Sequence, residues 1–188
     1  MTVVLTLVSH GATDASRPAA FPADDPLLEG KFAISAQPAW RRRQCLCSPS
    51  MACLQMAKRL GLEAQVEDDL RDLDHGRWAG LEIVAVAQSA PEALQRWVSD
   101  PAFCDHGGES RDHLTLRMAA WLDRVVTGGV HVVAITHAAV IRSVVCLVLG
   151  TPPTAFWSID IEPGSVTELR HDGRRWALRR MGCAGRTV

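Results

Sequence analysis

Two histidines, His10 and His137, each follow an apolar run: VVLTLV at 3–8 and VVAI at 132–135. Such runs read as strands buried on both faces. A polar turn at the carboxyl end of a buried strand is where open α/β sheets hold their ligands. In a parallel sheet the carboxyl ends share one edge, so the two imidazoles can meet there. An unprotonated imidazole held in one tautomer is a nucleophile. A second imidazole can hydrogen-bond the oxygens of a transferring phosphoryl group. Asp72 lies in a polar stretch between elements, where it can protonate a leaving alkoxide. Thr13 and the amides after Gly11 add neutral donors. Taken singly, a histidine after a strand is more often a turn or core residue, and Asp72 reads equally as a solvated or capping carboxylate. Only the combination points to chemistry.

The elements that must position these residues follow from periodicity and punctuation. Residues 12–30, with three prolines, read as loop. Residues 44–48 predict a short strand. Cys53, Leu54, Ala57 and Leu60 mark one face of a helix ending at Gly61, with Pro49 in its first turn. A short strand is expected within 66–73, then a loop over 74–80. Residues 81–98 read as helical, interrupted at Pro91, and 105–110 as a glycine-bearing loop. Leu114, Met118, Trp121, Leu122 and Val125 recur at helical spacing. Residues 131–136 predict a strand, and 140–149 a helix closed by Gly150. Residues 156–161, 165–170 and 175–180 read as strands, with turns at Pro163-Gly164 and Asp172-Gly173. Strands alternating with helices predict a single domain over 1–188, a three-layer α/β/α sandwich with a mostly parallel central sheet and a terminal hairpin.

Composition narrows the function classes. The chain has 188 residues, 47% apolar and 22% charged, with a net charge of −1. That length supports a sizeable core without metal or disulfide staples, and the charge supplies no basic field for nucleic acid. Arg41-Arg42-Arg43 is read as a solvated edge, since no aromatic platform accompanies it. No apolar run approaches about 18 residues, so no membrane span is expected. The N-terminus lacks a basic leader and reads as no signal peptide. The six cysteines show no CxxC, and reduced thiols in a cytoplasmic protein are the expectation. The tryptophans read as core and rim packing, with Trp78 as the one whose loop is expected to face the site. His75 and His106 are expected near the same edge. With His10 and His137 they are candidates for Zn²⁺, although no HxH or HxxxH spacing supports it.

These residues together resemble a known family. LTLVSHGAT at 5–13 resembles the LxLVRHGxT opening of the histidine phosphatase (phosphoglycerate mutase-like) superfamily. DDPLL at 24–28 is similar to DxPLT, and CSPSMACLQMA at 47–57 partly matches SSPLxRAxQTA. LRDLDHGRWAGL at 70–81 matches LREIDFGxWxGL, GGES at 107–110 matches GGES, and AITHAAVIR at 134–142 resembles VVSHGGVIR. Six motifs in order are far more specific than one. The resemblance implies that His10 is phosphorylated and then dephosphorylated by water, that His137 completes the phosphate pocket, and that Asp72 stands for the family's acid. By motif position, Ser9, Gly11, Thr13, Ser16 and Ala138 would line the phosphate site. The scheme uses no metal or organic cofactor.

The departures matter as much. Ser9 and Ala52 replace two arginines that clamp phosphate, Ser16 replaces an asparagine, and Ala138 a glycine. Charge-assisted hydrogen bonds contribute about 1.5–3 kcal/mol each. Losing two therefore costs about 3–6 kcal/mol, on the order of 10²–10⁴ in rate. Arg71 and Arg142 are the leading replacements, with Arg17, Arg77 and Arg111 as further candidates. The favoured reading is a metal-independent phosphomonoesterase acting on a small phosphorylated metabolite through phospho-His10. The alternatives are a weak or inactive anion-binding member of the same fold, mutase-type transfer, and a metal-dependent hydrolase. No nucleic acid or membrane partner is implied, and the apolar C-terminal strands are candidates for pairing in a homodimer.

Overall fold

A computed structural model describes residues 2–16, 19–29 and 34–183. Strand β1 (Val3–Ser9) shows why the sheet lies in the middle. Val3, Leu5 and Leu7 enter one core cluster, and Val8 enters another on the opposite face. Strand β4 (Val132–Thr136) divides the same way, Val132 and Ala134 against Val133 and Ile135. Period-two alternation between two buried faces needs helices on both sides. Helices α4 (Arg111–Gly128) and α5 (Ala138–Leu149) cover the first face, and α1 (Met51–Leu60) covers the second.

Strands β2 (Gln44–Cys47), β3 (Gln65–Val66), β5 (Val166–His171) and β6 (Trp176–Cys183) complete a six-stranded sheet in the order β3-β2-β4-β1-β5-β6. The first four strands in that order are parallel, and β5 and β6 join antiparallel. This is the three-layer sandwich with a mostly parallel sheet and a terminal hairpin. Since β1 and β4 are adjacent, with Ser9 opposite Thr136, His10 and His137 leave the sheet side by side.

Helix α1 starts at Ser50, whose hydroxyl accepts from the Cys53 amide, so Pro49 precedes the cap rather than entering the first turn. Pro91 splits the 81–98 stretch into α2 (Ile83–Ser89) and α3 (Pro91–Ser99). Two expectations fail. Residues 156–161 are not a strand, because Pro153–Ser158 forms a 3-10 helix with proline at its start and Phe156 turned into the core. The 66–73 stretch pairs only at β3. The Glu67 carboxylate then accepts from the Asp69 amide and turns the chain into a 3-10 helix over Asp68–Leu70.

A third, smaller cluster of Phe21, Trp78, Val86 and Phe103 lies under the loops and α2–α3. Here two loops meet backbone on backbone. A Cβ on Gly108 would lie 2.1 Å from the Asp74 carbonyl oxygen, and one on Gly76 would lie 2.3 Å from that of His106. No side chain fits at either place, so both glycines are required by the approach itself. The Glu109 amide donates to the Asp74 carbonyl and the Arg77 amide to that of His106, which locks the segment after Asp72 to the GGES loop.

Candidate active site

His10 sits just past β1 and is held by its own backbone. Its amide donates to the Thr136 carbonyl, and its carbonyl accepts from Gly164. Its Nδ1 lies 2.7 Å from the Gly11 carbonyl oxygen. A carbonyl only accepts, so Nδ1 carries a proton. His137 is the residue before α5, buried, with its ring centroid 4.9 Å from that of His10. Its Nε2 is 2.8 Å from the Ser48 hydroxyl, and its Nδ1 is 3.3 Å from Asp72 Oδ2. The other carboxylate oxygen of Asp72 accepts from the Leu73 amide at 2.9 Å. One histidine is thus held through Nδ1 by its own loop, and the other presents Nδ1 toward the carboxylate.

Both imidazoles and Asp72 line one cavity of about 260 Å³. Ser9, Gly11, Thr13 and Ala138 line it as well. Ser16 ends the 3-10 turn Asp14–Ser16; its side chain, like all of Arg17, lies outside the described residues. Helix α5 points its N-terminus into the cavity through Ala138 and Ala139, and no side chain caps it. Free amides at a helix start favour an anion. Ala52 and Ser9, at the positions of the two missing arginines, present only small groups to the same space.

The arginine candidates separate clearly. Arg142 lies one turn along α5 from Ala138 and lines the cavity. Its Nε donates to the Ile159 carbonyl at 2.7 Å, and its Nη2 lies 4.0 Å from Asp160 Oδ1. Arg71 reaches Asp68 and Glu109 instead and lines only an adjoining groove that shares Asp72 and His137. Arg77 bonds the Asp105 carbonyl. Arg111 is buried against the carbonyls of Trp97 and Val98, beneath Phe156 and Trp157.

Burial pushes His137 below its ordinary value of 6.5, partly offset by Asp72, so the ring is neutral at neutral pH. Burial also lowers His75 and His106. Each of the three takes up its proton more readily when unfolded. Stability is therefore full above pH 6.5 and is lost as pH falls below it, by at most about 1.4 kcal/mol per pH unit for each ring. Melting temperature is expected to be flat between pH 7.5 and 8.5 and to drop between pH 6.5 and 5.5. A rise over that acidic interval would refute the assignment. Burial raises the Cys53 thiol and pushes Cys47 up to about 12, so neither is a thiolate beside His137.

Several features were not legible locally. Trp78 is buried against Phe103 and does not face the cavity; Trp97 and Trp157 line it instead. His75 lines the cavity and His106 packs behind it, but among the described residues no group of three His, Cys, Asp or Glu is placed to hold a metal ion. Ser48 and Arg117 emerge only in space. Arg117 on α4 forms a two-pronged pair with Glu109, 2.9 and 2.6 Å, and also donates to the carbonyls of Asp69, Arg71 and Asp72. It grips the backbone that carries Asp72. Nothing in the amphipathic pattern of that helix marks Arg117.

The fold and site define an α/β protein with a histidine-paired cavity at the carboxyl edge of its parallel strands. A family model for the histidine phosphatase superfamily (branch 1) matches residues 33–184, and the chain belongs to that superfamily. The matched stretch contains Asp72 and His137 and begins after His10. Phosphoserine phosphatase 1 of Hydrogenobacter thermophilus is 30% identical over 128 residues, 66% of this chain and 61% of that protein. Glucosyl-3-phosphoglycerate phosphatase of Mycobacterium tuberculosis is 28% identical over 109 residues, 53% of this chain and 49% of that protein. The match thus spans less than two thirds of either relative. The structure of alpha-ribazole phosphatase from Shigella flexneri superposes with a TM-score of 0.82 over 98% of each chain at 17% identity, a likeness of fold. No helix among the described residues is long and apolar enough to cross a membrane.

Proposed function

We propose that the protein is a phosphomonoesterase that works through a phosphohistidine. The observation that carries this is the His10 ring. Its Nδ1 is fixed on the Gly11 carbonyl, and it stands 4.9 Å from His137 over one shared cavity. In the first step Nε2 of His10 attacks phosphorus and the bond to the ester oxygen breaks. Protonated Asp72 gives its proton to that oxygen, and the alcohol leaves. In the second step Asp72 takes a proton from water, the water oxygen bonds to phosphorus, and the bond to Nε2 breaks. The α5 amides and Arg142 supply positive charge to the phosphoryl oxygens, and the Nδ1–H of neutral His137, which faces Asp72 in the free site, adds a hydrogen bond once phosphate is bound. Arg142 is the replacement for the missing guanidinium groups. The substrate is a small phosphorylated molecule, in keeping with the names of the relatives. A cytoplasmic location fits the buried free thiols Cys45, Cys47 and Cys53.

Substitution Asp72→Asn separates the two steps. 4-Nitrophenolate leaves without an acid, so the first step persists while the second loses its base. The expected result with 4-nitrophenyl phosphate is a burst of one nitrophenolate per enzyme, then turnover slower by at least about 10²-fold. An acid-labile phosphoryl group on the peptide that contains His10 should accompany it. Neither burst nor phosphopeptide, with turnover intact, would overturn the mechanism. The small side chains at Ser9 and Ala52 favour a second reading, an anion-binding protein without turnover. Tight vanadate binding with no hydrolysis across a broad panel of esters would select it.

A further inference from the structure

Resting on the phosphatase reading, the walls of the cavity say what the leaving group is. Above the phosphate end, four rings run edge to edge along one side. Phe21 lies 5.2 Å from Trp97, Trp97 lies 4.7 Å from Trp157, and Trp157 lies 5.0 Å from Phe156, centroid to centroid. All four line the cavity, with Ile83 and Ile161 extending the apolar surface. Trp157 is 36% exposed, and its indole N–H is spent on the Val98 carbonyl at 2.9 Å, so its free surface is ring carbon.

The charges point the same way. Among the described residues Arg142 is the one arginine or lysine on the lining, and it stands at the phosphate end beside the α5 N-terminus. The other permanent charges are Asp25 and Asp72, both negative. Among the described residues, a second carboxylate or phosphate on the substrate would find no second arginine or lysine on the lining, and two carboxylates of like charge. Arg71 does not help, since it is engaged by Asp68 and Glu109 outside this cavity.

We propose that the protein takes phosphomonoesters of flat, apolar, uncharged alcohols, aryl or arylalkyl in class, and rejects esters that carry a second anion. Stacking on Trp157 and Trp97, with apolar burial against the edges of Phe21 and Phe156, holds the organic half, while His10, His137 and Arg142 hold the phosphoryl half. This sets the chain apart from relatives whose names imply amino-acid or glycerate substrates.

Two esters that both leave as primary alkoxides make the test: 2-phenylethyl phosphate and O-phosphoserine. The wild type is expected to prefer the first by at least about tenfold in kcat/KM. Trp157→Ala should cut that preference at least about tenfold, and Trp157→Phe should keep it. In parallel, calorimetry compares the inert 2-phenylethylphosphonate with 2-carboxyethylphosphonate on the wild type. Tighter binding of the arylalkyl compound supports the inference whether or not any ester turns over. If it binds but no ester is hydrolysed, the phosphatase reading falls and the cavity inference stands. Equal or better use of the acidic compounds, a preference unmoved by Trp157→Ala, or binding of neither phosphonate overturns the inference and leaves the phosphatase reading to the Asp72→Asn test.

Discussion

Replacing His10 with alanine is expected to lower kcat on 4-nitrophenyl phosphate by at least about 10⁴-fold, since the nucleophile has no substitute in the cavity. The neighbouring imidazole cannot take over. Both nitrogens of His137 are engaged, Nε2 by the Ser48 hydroxyl and Nδ1 by Asp72. Cys47 and Cys53 are held in the thiol form by burial. The backbone at position 10 is pinned by Thr136 and Gly164, so loss of the side chain leaves the loop in place. The variant should therefore melt near the wild-type temperature and still bind vanadate or phosphate, because Arg142 and the α5 N-terminus remain. Steady-state kinetics with a vanadate titration checks both halves. Equal rates for wild type and variant would remove His10 from the reaction.

The second large effect is on stability. Arg117 and Glu109 have side chains only 8% and 11% exposed, and their pair is bidentate. Removing one member of a buried pair leaves the other charge without its partner, which costs about 3–5 kcal/mol. Arg117→Met also takes the donor from the Asp69, Arg71 and Asp72 carbonyls. For a domain of this size each kcal/mol moves the melting temperature by about 2–4 °C, so the expected drop is roughly 6–20 °C. Arg117→Lys should fall by a similar amount, because an ammonium cannot span a carboxylate fork and three carbonyls at once. A drop below about 2 °C in thermal denaturation would show that the clamp is not stabilising. Loosening the clamp also moves Asp72, so hydrolysis of an alkyl phosphate, which needs the acid, should fall further than that of 4-nitrophenyl phosphate.

Much of the site was legible because its placement follows from local rules. VVLTLV and VVAI alternate between two buried faces, so both must be interior strands, and the polar turn after each brings a histidine to the carboxyl edge. Asp72 was legible only through its motif, since a carboxylate between elements carries no periodicity. The expected strand over 156–161 failed because an apolar run beginning after two prolines suits a 3-10 turn as well as a strand, and packing of Phe156 decided between them. Trp78 was misplaced for a related reason. A glycine loop shows that a ring sits near an edge but not which way it faces, and the Phe21–Phe103 cluster drew Trp78 inward.

By itself the sequence determined the layers and the strand directions around the two histidines, because hydrophobic period and backbone hydrogen bonding act over a few residues. Only the tertiary structure decided that Arg142, among the four described candidate arginines, lines the cavity, that Ser48 holds His137, that Arg117 grips the chain at Asp72, and that Trp97 and Trp157 form the wall. The Arg117–Asp72 and Ser48–His137 contacts join residues 45 and 89 positions apart. They are set by where helices cross the sheet, and side-chain direction at a crossing depends on packing that no local period encodes.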